Sequence, residues 1–202
     1  VDAYGPVLDR ALQENFGAKL LGIWPFGPQT FFCRSALTDL KDIAGRKIRV
    51  GNANFSPLIA RFGGTAVVIP FDDVREALRT GLIDCAITSA TSANFAGWTD
   101  YTSYYFPLGM QMGLNGYVVS LRLWNSLSSA QQLALTNAFR NHVEAIWSFA
   151  ATADDDATAC ITGRSCRLGK PAHLTLVKPS PGDYQALNDA AYETTFRDWA
   201  LR

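Results

Sequence analysis

Arg49 stands near the end of a short apolar segment, Lys47-Ile48-Arg49-Val50, and is followed at once by Gly51, Asn52 and Asn54. A guanidinium presents a planar fork of N–H donors that matches a carboxylate in bidentate fashion. Asparagine amides, hydroxyls and backbone N–H groups can complete the hydrogen bonding of a small anion. Further along, Phe71 follows the apolar segment Ala66–Ile69, and Thr88, Ser89, Thr91 and Ser92 follow the segment Leu82–Ile87. Asn94, Trp98 and Tyr101 come just after. Phe71 and Trp98 can wall the apolar part of a ligand. The plainer alternatives are an Arg49 ion pair with Asp84 or Asp39, a core role for Phe71, and helix capping by the Thr/Ser cluster.

Catalytic constellations are weak. The chain has two histidines. His142 falls in a helical pattern and His173 lies beside Pro171. No nucleophile elbow, Walker A sequence, dinucleotide fingerprint or H-E-x-x-H motif occurs. Asp72-Asp73 opens a helix, where acidic residues are expected in any case. The residues offer binding rather than bond-making, and neither a cofactor nor a metal is expected. The adjacent run Asp154-Asp155-Asp156 reads as a solvated stretch of helix, because three consecutive helical residues do not share a face.

The elements that position these groups follow from periodicity. Residues 6–16 carry apolar residues at helical spacing, ended by Gly17. Lys19–Trp24 reads as a strand interrupted by the linker-like Pro25-Phe26-Gly27-Pro28. Thr30–Cys33 is a short strand, Thr38–Ile43 a short helix or turn, and Lys47–Val50 a strand. Residues 55–63 form a helix. Ala66–Ile69 is apolar throughout, as buried parallel strands are. Asp72 is expected to cap a helix ended by Gly81, and Leu82–Ile87 is the next strand. This alternation predicts right-handed crossovers and a parallel sheet. Ligands of such sheets bind beyond the carboxyl ends of the strands, which is where Arg49, Phe71 and Thr88 fall. Tyr104–Gln111 and Gly116–Ser120 read as strands. Ser128 with Gln131 fits a capping box for a long helix to about Ile161. Leu174–Val177 reads as a strand, and Ser180 with Asp183 opens a final helix that runs to the end of the chain.

Bulk properties bound the reading. The 202 residues are 48% hydrophobic and 18% charged, with 18 basic residues balancing 18 acidic ones. Balanced charge gives no reason to expect nucleic acid as a partner, and no apolar run approaches the roughly 18 residues of a membrane span. Of the four cysteines, Cys160 and Cys166 flank a Gly-containing turn and are expected to form a disulfide, which points to an oxidising compartment. Cys33 and Cys85 sit in apolar runs as core residues, with a second disulfide left open. The chain opens Val1-Asp2-Ala3-Tyr4, without an initiator Met or a signal-like segment. A removed leader or a start part-way through a longer protein is the expectation.

Several stretches together resemble the solute-binding proteins of tripartite ATP-independent periplasmic (TRAP) transporters, dicarboxylate-binding type. They are Asp39-Leu40-Lys41-Asp42-Ile43-Ala44-Gly45-Arg46-Lys47-Ile48-Arg49-Val50, Phe62-Gly63-Gly64-Thr65 with Ile69-Pro70-Phe71, and Glu76-Ala77-Leu78-Arg79-Thr80-Gly81-Leu82-Ile83-Asp84. Gly116-Tyr117-Val118-Val119-Ser120 and Trp124-Asn125-Ser126-Leu127-Ser128 follow in consistent order. The resemblance implies a two-lobed periplasmic-binding-protein-like α/β fold (type II), a periplasmic location, and delivery of a small organic acid to TRAP membrane permease subunits. It implies that Arg49 makes a salt bridge to the ligand carboxylate and that Asn52 and Phe71 line the pocket. Sialate-binding members carry Glu-Asn-Pro where this chain has Ile87-Thr88-Ser89, which argues against sialic acid. Several members have a second arginine where this chain has Gln29, so a monocarboxylate with an apolar part is expected over a dicarboxylate. The resemblance also implies that most of the first lobe, an N-terminal segment, is missing from the chain. Residues 1–26 would end that lobe, 27–113 form the core of the second, 114–153 return to the first through the spanning helix, and 154–202 complete the second. The alternatives are an α/β enzyme acting on a carboxylate, or a sensory or assembly protein with a decayed pocket.

Overall fold

A computed structural model describes residues 4–197, the side chain of Ala151 excepted. The expected helical end at residues 198–202 lies outside the described residues. The chain divides into two compact units, residues 1–26 with 112–152, and residues 27–111 with 153–202.

The first unit begins with α1 (Gly5–Phe16), which ends at Gly17 in the left-handed conformation, φ 60°. Glycine adopts that geometry without a Cβ penalty. Strand β1 (Ala18–Pro28) pairs with β7 (Met112–Ser120) in a two-stranded sheet. The expected break at Pro25-Phe26-Gly27-Pro28 is therefore corrected: the strand continues through it. In a two-stranded ribbon each strand keeps a free edge, where a proline without an N–H forfeits no ladder bond. Helix α5 (Leu121–Ser126) is capped by Ser120, whose side chain accepts from Leu123 N–H. Helix α6 (Ser129–Ile161) follows the expected box, with Ser128 N–H donating to Gln131 Oε1 at 2.9 Å and Gln131 N–H to Ser128 Oγ at 3.3 Å. Trp147 Nε1 donates to the Ile23 carbonyl at 2.9 Å and ties α6 to β1.

The second unit is built on a six-stranded sheet. Its strands are β2 (Thr30–Cys33), β3 (Lys47–Val50), β4 (Thr65–Val68), β5 (Cys85–Thr88), β6 (Tyr104–Phe106) and β8 (Thr175–Leu176), in the order β4-β3-β5-β2-β6-β8. β3 runs parallel to β4 and β5, as expected, but β2 is antiparallel to both β5 and β6. The sheet is mixed because the alternation of strands and helices governs only β3 to β5. β2 precedes that run and inserts beside β5, with Cys33 opposite Cys85. β4, expected to be a buried strand, is instead an edge strand, and Val68 is 55% exposed.

Both faces of this sheet are covered. Phe31, Cys33, Ile48, Val50, Cys85 and Ile87 point into one core with Leu58, Ile59 and Leu187. These last come from α2 (Ser56–Arg61) and α7 (Pro181–Ala191). Phe32, Ala86 and Tyr105 point into the other, with Val74, Ala77 and Leu78 of α3 (Val74–Thr80) and Ala90 and Ala93 of α4 (Ala90–Phe95). Asp72 does not cap α3: it lies within a 3-10 turn, Phe71–Asp73, that leads into the helix without a side-chain cap. Pro107 and Gly109 end β6 early, so the expected strand to Gln111 stops at Phe106. α7 opens with the expected capping box between Ser180 and Asp183.

Candidate functional site

Strand alternation turns Arg49 to the opposite face from its neighbours Ile48 and Val50, beneath the ends of β3, β4 and β5. Its Nε donates to the Ile69 carbonyl at 2.9 Å and its Nη1 to the Ile87 carbonyl at 3.2 Å. Those carbonyls follow β4 and close β5, so two strand ends hold the guanidinium plane. The centre of the guanidinium is 5.6 Å from the Trp98 ring centroid and 5.8 Å from that of Phe71. The two rings lie 5.1 Å apart. Their electron-rich faces attract the cation.

Arg49 is 5% exposed, and burial pulls its pKa down from the ordinary value. A guanidinium stays charged nonetheless. Neither carboxylate weighed as an internal partner is used. Asp84 accepts from Lys47 N–H at 2.8 Å, and Asp39 accepts from Lys41 N–H at 2.8 Å. Among the described residues no carboxylate lies within ion-pair distance of Arg49. Among the described residues Nη2 has no acceptor, and it is not sealed from solvent. Gly51 keeps that side open: a Cβ added there would stand 3.8 Å from Nη2. The arrangement is a buried, oriented cation with donor capacity left over, and burying an unpaired charge is costly until an anion joins it.

The remaining expected residues divide by location. Phe71 is 39% exposed and adjoins the guanidinium, so it keeps a face for an apolar group. Trp98 is fully buried, and its Nε1 has no partner among the described residues. It underlies Arg49 and Phe71 without presenting a face to solvent. Thr88 is buried, and its carbonyl accepts from Thr30 Oγ1 at 3.1 Å. Ser89 is also buried and caps α4 by accepting from Ser92 N–H at 3.2 Å, the capping role open to that cluster. Asn52 is exposed and caps a 3-10 turn through Asn54 N–H at 3.0 Å. Gln29 is half-buried, with Nε2 donating to the Gly27 carbonyl at 3.2 Å. Asn94 is committed at both ends of its amide: Nδ2 donates to the Lys170 carbonyl at 2.7 Å and Oδ1 accepts from Lys170 N–H at 2.8 Å. Asn94 thus clamps the segment around Lys170.

Two disulfides form, Cys160–Cys166 and Cys33–Cys85. The first closes the short turn after α6. The second resolves the pair left open, by fastening β2 to β5 inside the core.

Some features had no signal in the residue types. The carbonyls that orient Arg49 belong to Ile69 and Ile87, whose side chains say nothing of them. The Asp154-Asp155-Asp156 run is corrected from a solvated stretch. Asp155 alone is exposed, Asp156 accepts from Arg167 and Leu168 N–H, and Asp154 turns toward Thr91. Among the described residues no cluster of His, Cys, Asp and Glu could hold a metal ion, and no helix is long and apolar enough to cross a membrane.

The fold is that of the two-lobed α/β periplasmic-binding-protein type. An extracytoplasmic solute receptor of Bordetella pertussis binding pyroglutamic acid matches it with a TM-score of 0.89 at 20% identity, over 100% of this chain and 64% of that one. A TRAP periplasmic solute-binding protein of Sulfitobacter sp. NAS-14.1 with bound β-D-galacturonate gives 0.83 at 21% identity, over 98% and 63%. One from Rhodoferax ferrireducens with bound malonate gives 0.83 at 22% identity, over 96% and 60%. A solute-binding protein of Albidiferax ferrireducens is 31% identical over 88 residues, 44% of this chain and 26% of that protein. The chain belongs to the bacterial extracellular solute-binding proteins of family 7 (DctP), whose pattern it matches over residues 2–178. It spans less than two thirds of the length of these relatives.

Proposed function

We propose that this chain is the Arg49-bearing part of a periplasmic receptor of the TRAP type. It captures a small organic carboxylate and delivers it to membrane permease subunits. The observation that carries this reading is the Arg49 guanidinium: buried, aimed by two strand-end carbonyls, and without a carboxylate partner among the described residues. Structural relatives that bind pyroglutamic acid, galacturonate and malonate all hold a carboxylate. The same chemistry suits Arg49, with Nη2 reaching the ligand oxygen and the exposed face of Phe71 taking an apolar group. Asn52, Gln29 and Thr88 border the strand ends and supply further polar groups, while Ser89 is held in the cap of α4.

Gln29 brings no second positive charge to these strand ends, so the ligand is a monocarboxylate rather than a dicarboxylate. The mechanism is capture and domain closure, with no bond made or broken. The longer relatives carry chain that is not matched here, and the receptor reading includes a segment of that kind as part of the cleft.

Thermal-shift screening of organic acids tests the reading. A specific ligand at 100 times its Kd stabilises the folded chain by about 2.7 kcal/mol through linkage and so raises the unfolding midpoint. Arg49→Ala is expected to abolish that rise. A panel in which no acid shifts the midpoint, or a shift that survives Arg49→Ala, overturns it.

A further inference from the structure

We propose that Asp154 is a second specificity-determining residue of this site: it receives an amino group on the carboxylate held by Arg49 and turns dicarboxylates away. The inference rests on the receptor reading above and names the ligand class within it, an amino-bearing monocarboxylate.

The topology puts the two groups on one sheet edge. β5 runs parallel to β3, so both end on the side where the Arg49 guanidinium meets the Ile87 carbonyl. β2 runs antiparallel to β5, with Thr30 opposite Thr88, so the segment entering β2 lies at that same edge. Gly27 is on this segment. A Cβ added to Gly27 would stand 3.1 Å from Ser89 Cβ and 2.5 Å from Asp154 Oδ1. The Asp154 carboxylate therefore fills the space that a side chain at position 27 would need, directly beside the end of β5. In the order β3-β5-β2, the segment that Asp154 adjoins enters the strand next but one to that of Arg49.

Its bonding is incomplete. Oδ1 accepts from Thr91 N–H at 3.3 Å and Thr91 Oγ1 at 3.4 Å, both at the long end of the range. The Ala90 N–H at the start of α4 also acts on the carboxylate, and Oδ2 is not sealed from solvent. Among the described residues no Lys, Arg or His pairs with Asp154. Burial, the largest influence on it, raises its pKa above the ordinary value. The second unit thus holds a buried cation and a partly buried anion that do not pair with each other. Each has neutral hydrogen-bond partners, but among the described residues neither has an opposite charge beside it. A ligand carrying a carboxylate and an ammonium group compensates both. A second carboxylate in the ammonium position would face Asp154 and be repelled.

The competing role for Asp154 is a brace for the first turn of α4 through Thr91. Asp154→Asn separates the two, because the amide oxygen still accepts from Thr91 while the charge is gone. The whole chain, with its disulfides oxidised, would be titrated by calorimetry with glycine, β-alanine, 4-aminobutyrate, 5-aminovalerate, proline and glutamine. Each is paired with its des-amino acid, and succinate and glutarate complete the panel. The expected result is at least one amino acid binding about tenfold or more tighter than its des-amino form and than either dicarboxylate. Asp154→Asn should bring that ratio to within about threefold at unchanged thermal stability. Acids that bind in an Arg49-dependent way, but with amino and des-amino forms alike or with a ratio indifferent to Asp154→Asn, overturn this inference and leave the receptor reading standing. Binding that ignores Arg49→Ala, or no binding at all, overturns both.

Discussion

The Arg49 guanidinium lies 5.6 Å from the ring centroid of Trp98, a side chain with no exposed surface whose indole N–H has no partner among the described residues. The indole acts as a floor that fixes the cation from below, while the ligand would approach from the Gly51 side. Phe32 meets the same indole edge-on at 6.4 Å, and Phe71 packs on it at 5.1 Å. Trp98→Phe keeps a ring under Arg49 and removes the orphan N–H, so it should cost about 1 kcal/mol or less. Trp98→Ala opens a cavity and should cost about 3–5 kcal/mol. Urea denaturation of the two variants checks the order. Equal losses would remove the ring from any positioning role.

Gly51 borders the open side of Arg49, and a Cβ there would stand 3.8 Å from Nη2 without a clash. Its backbone is not in the left-handed region, so a side chain is not strained. Gly51→Leu should place its bulk over the guanidinium. Stability should stay within about 0.5 kcal/mol of the parent, while ligand-induced thermal shifts disappear. A variant that binds as the parent does would show that the ligand approaches by another side.

The two disulfides should differ in weight. Cys33–Cys85 closes 52 residues of chain and fastens β2 to β5 within the core. Cys160–Cys166 closes 6. Loop-closure entropy grows with loop length. Cys33→Ala with Cys85→Ala should cost about 2–4 kcal/mol in guanidinium denaturation. The Cys160→Ala, Cys166→Ala pair should cost less. The reverse order would mean that the long cross-link carries native-state strain.

Asp183 links α7 to the turn at Leu40. It accepts from Leu40 N–H at 2.9 Å and from Ser180 N–H and Oγ, both at 2.7 Å. Burial acts to raise its pKa, but these hydrogen bonds outweigh burial and hold it below the ordinary value. The charged form is thus favoured by folding. Its stabilisation is fully present above the ordinary carboxylate pKa of about 3.9 and is lost as pH falls through the lower, folded value. Asp183→Asn should cost about 1–3 kcal/mol at neutral pH and flatten the acid limb of stability against pH below about 4. An unchanged acid limb would exclude Asp183 as its source.

Local rules carried much of the fold to the surface of the sequence. The boxes at Ser128–Gln131 and Ser180–Asp183 form as their spacing predicts, and Gly17 and Gly81 end helices in the left-handed conformation. Each depends on residues within a turn of one another. The placement of Arg49 at a strand end was legible for the same reason, since strand alternation and the following Gly51 are local. What lay beyond reach depends on pairings far apart in the chain. β4 is an edge strand because, among the described residues, no strand pairs on its outer side, which Ala66-Val67-Val68 cannot announce. Cys33 meets Cys85 only because β2 inserts antiparallel beside β5. Asp154 is half-buried where it is only because Gly27, well over a hundred residues earlier in the chain, leaves room for it. Composition put an arginine and an aspartate in the chain. Tertiary structure decided that, among the described residues, neither meets an opposite charge: two strand-end carbonyls face the cation, and Thr91 of α4 faces the anion.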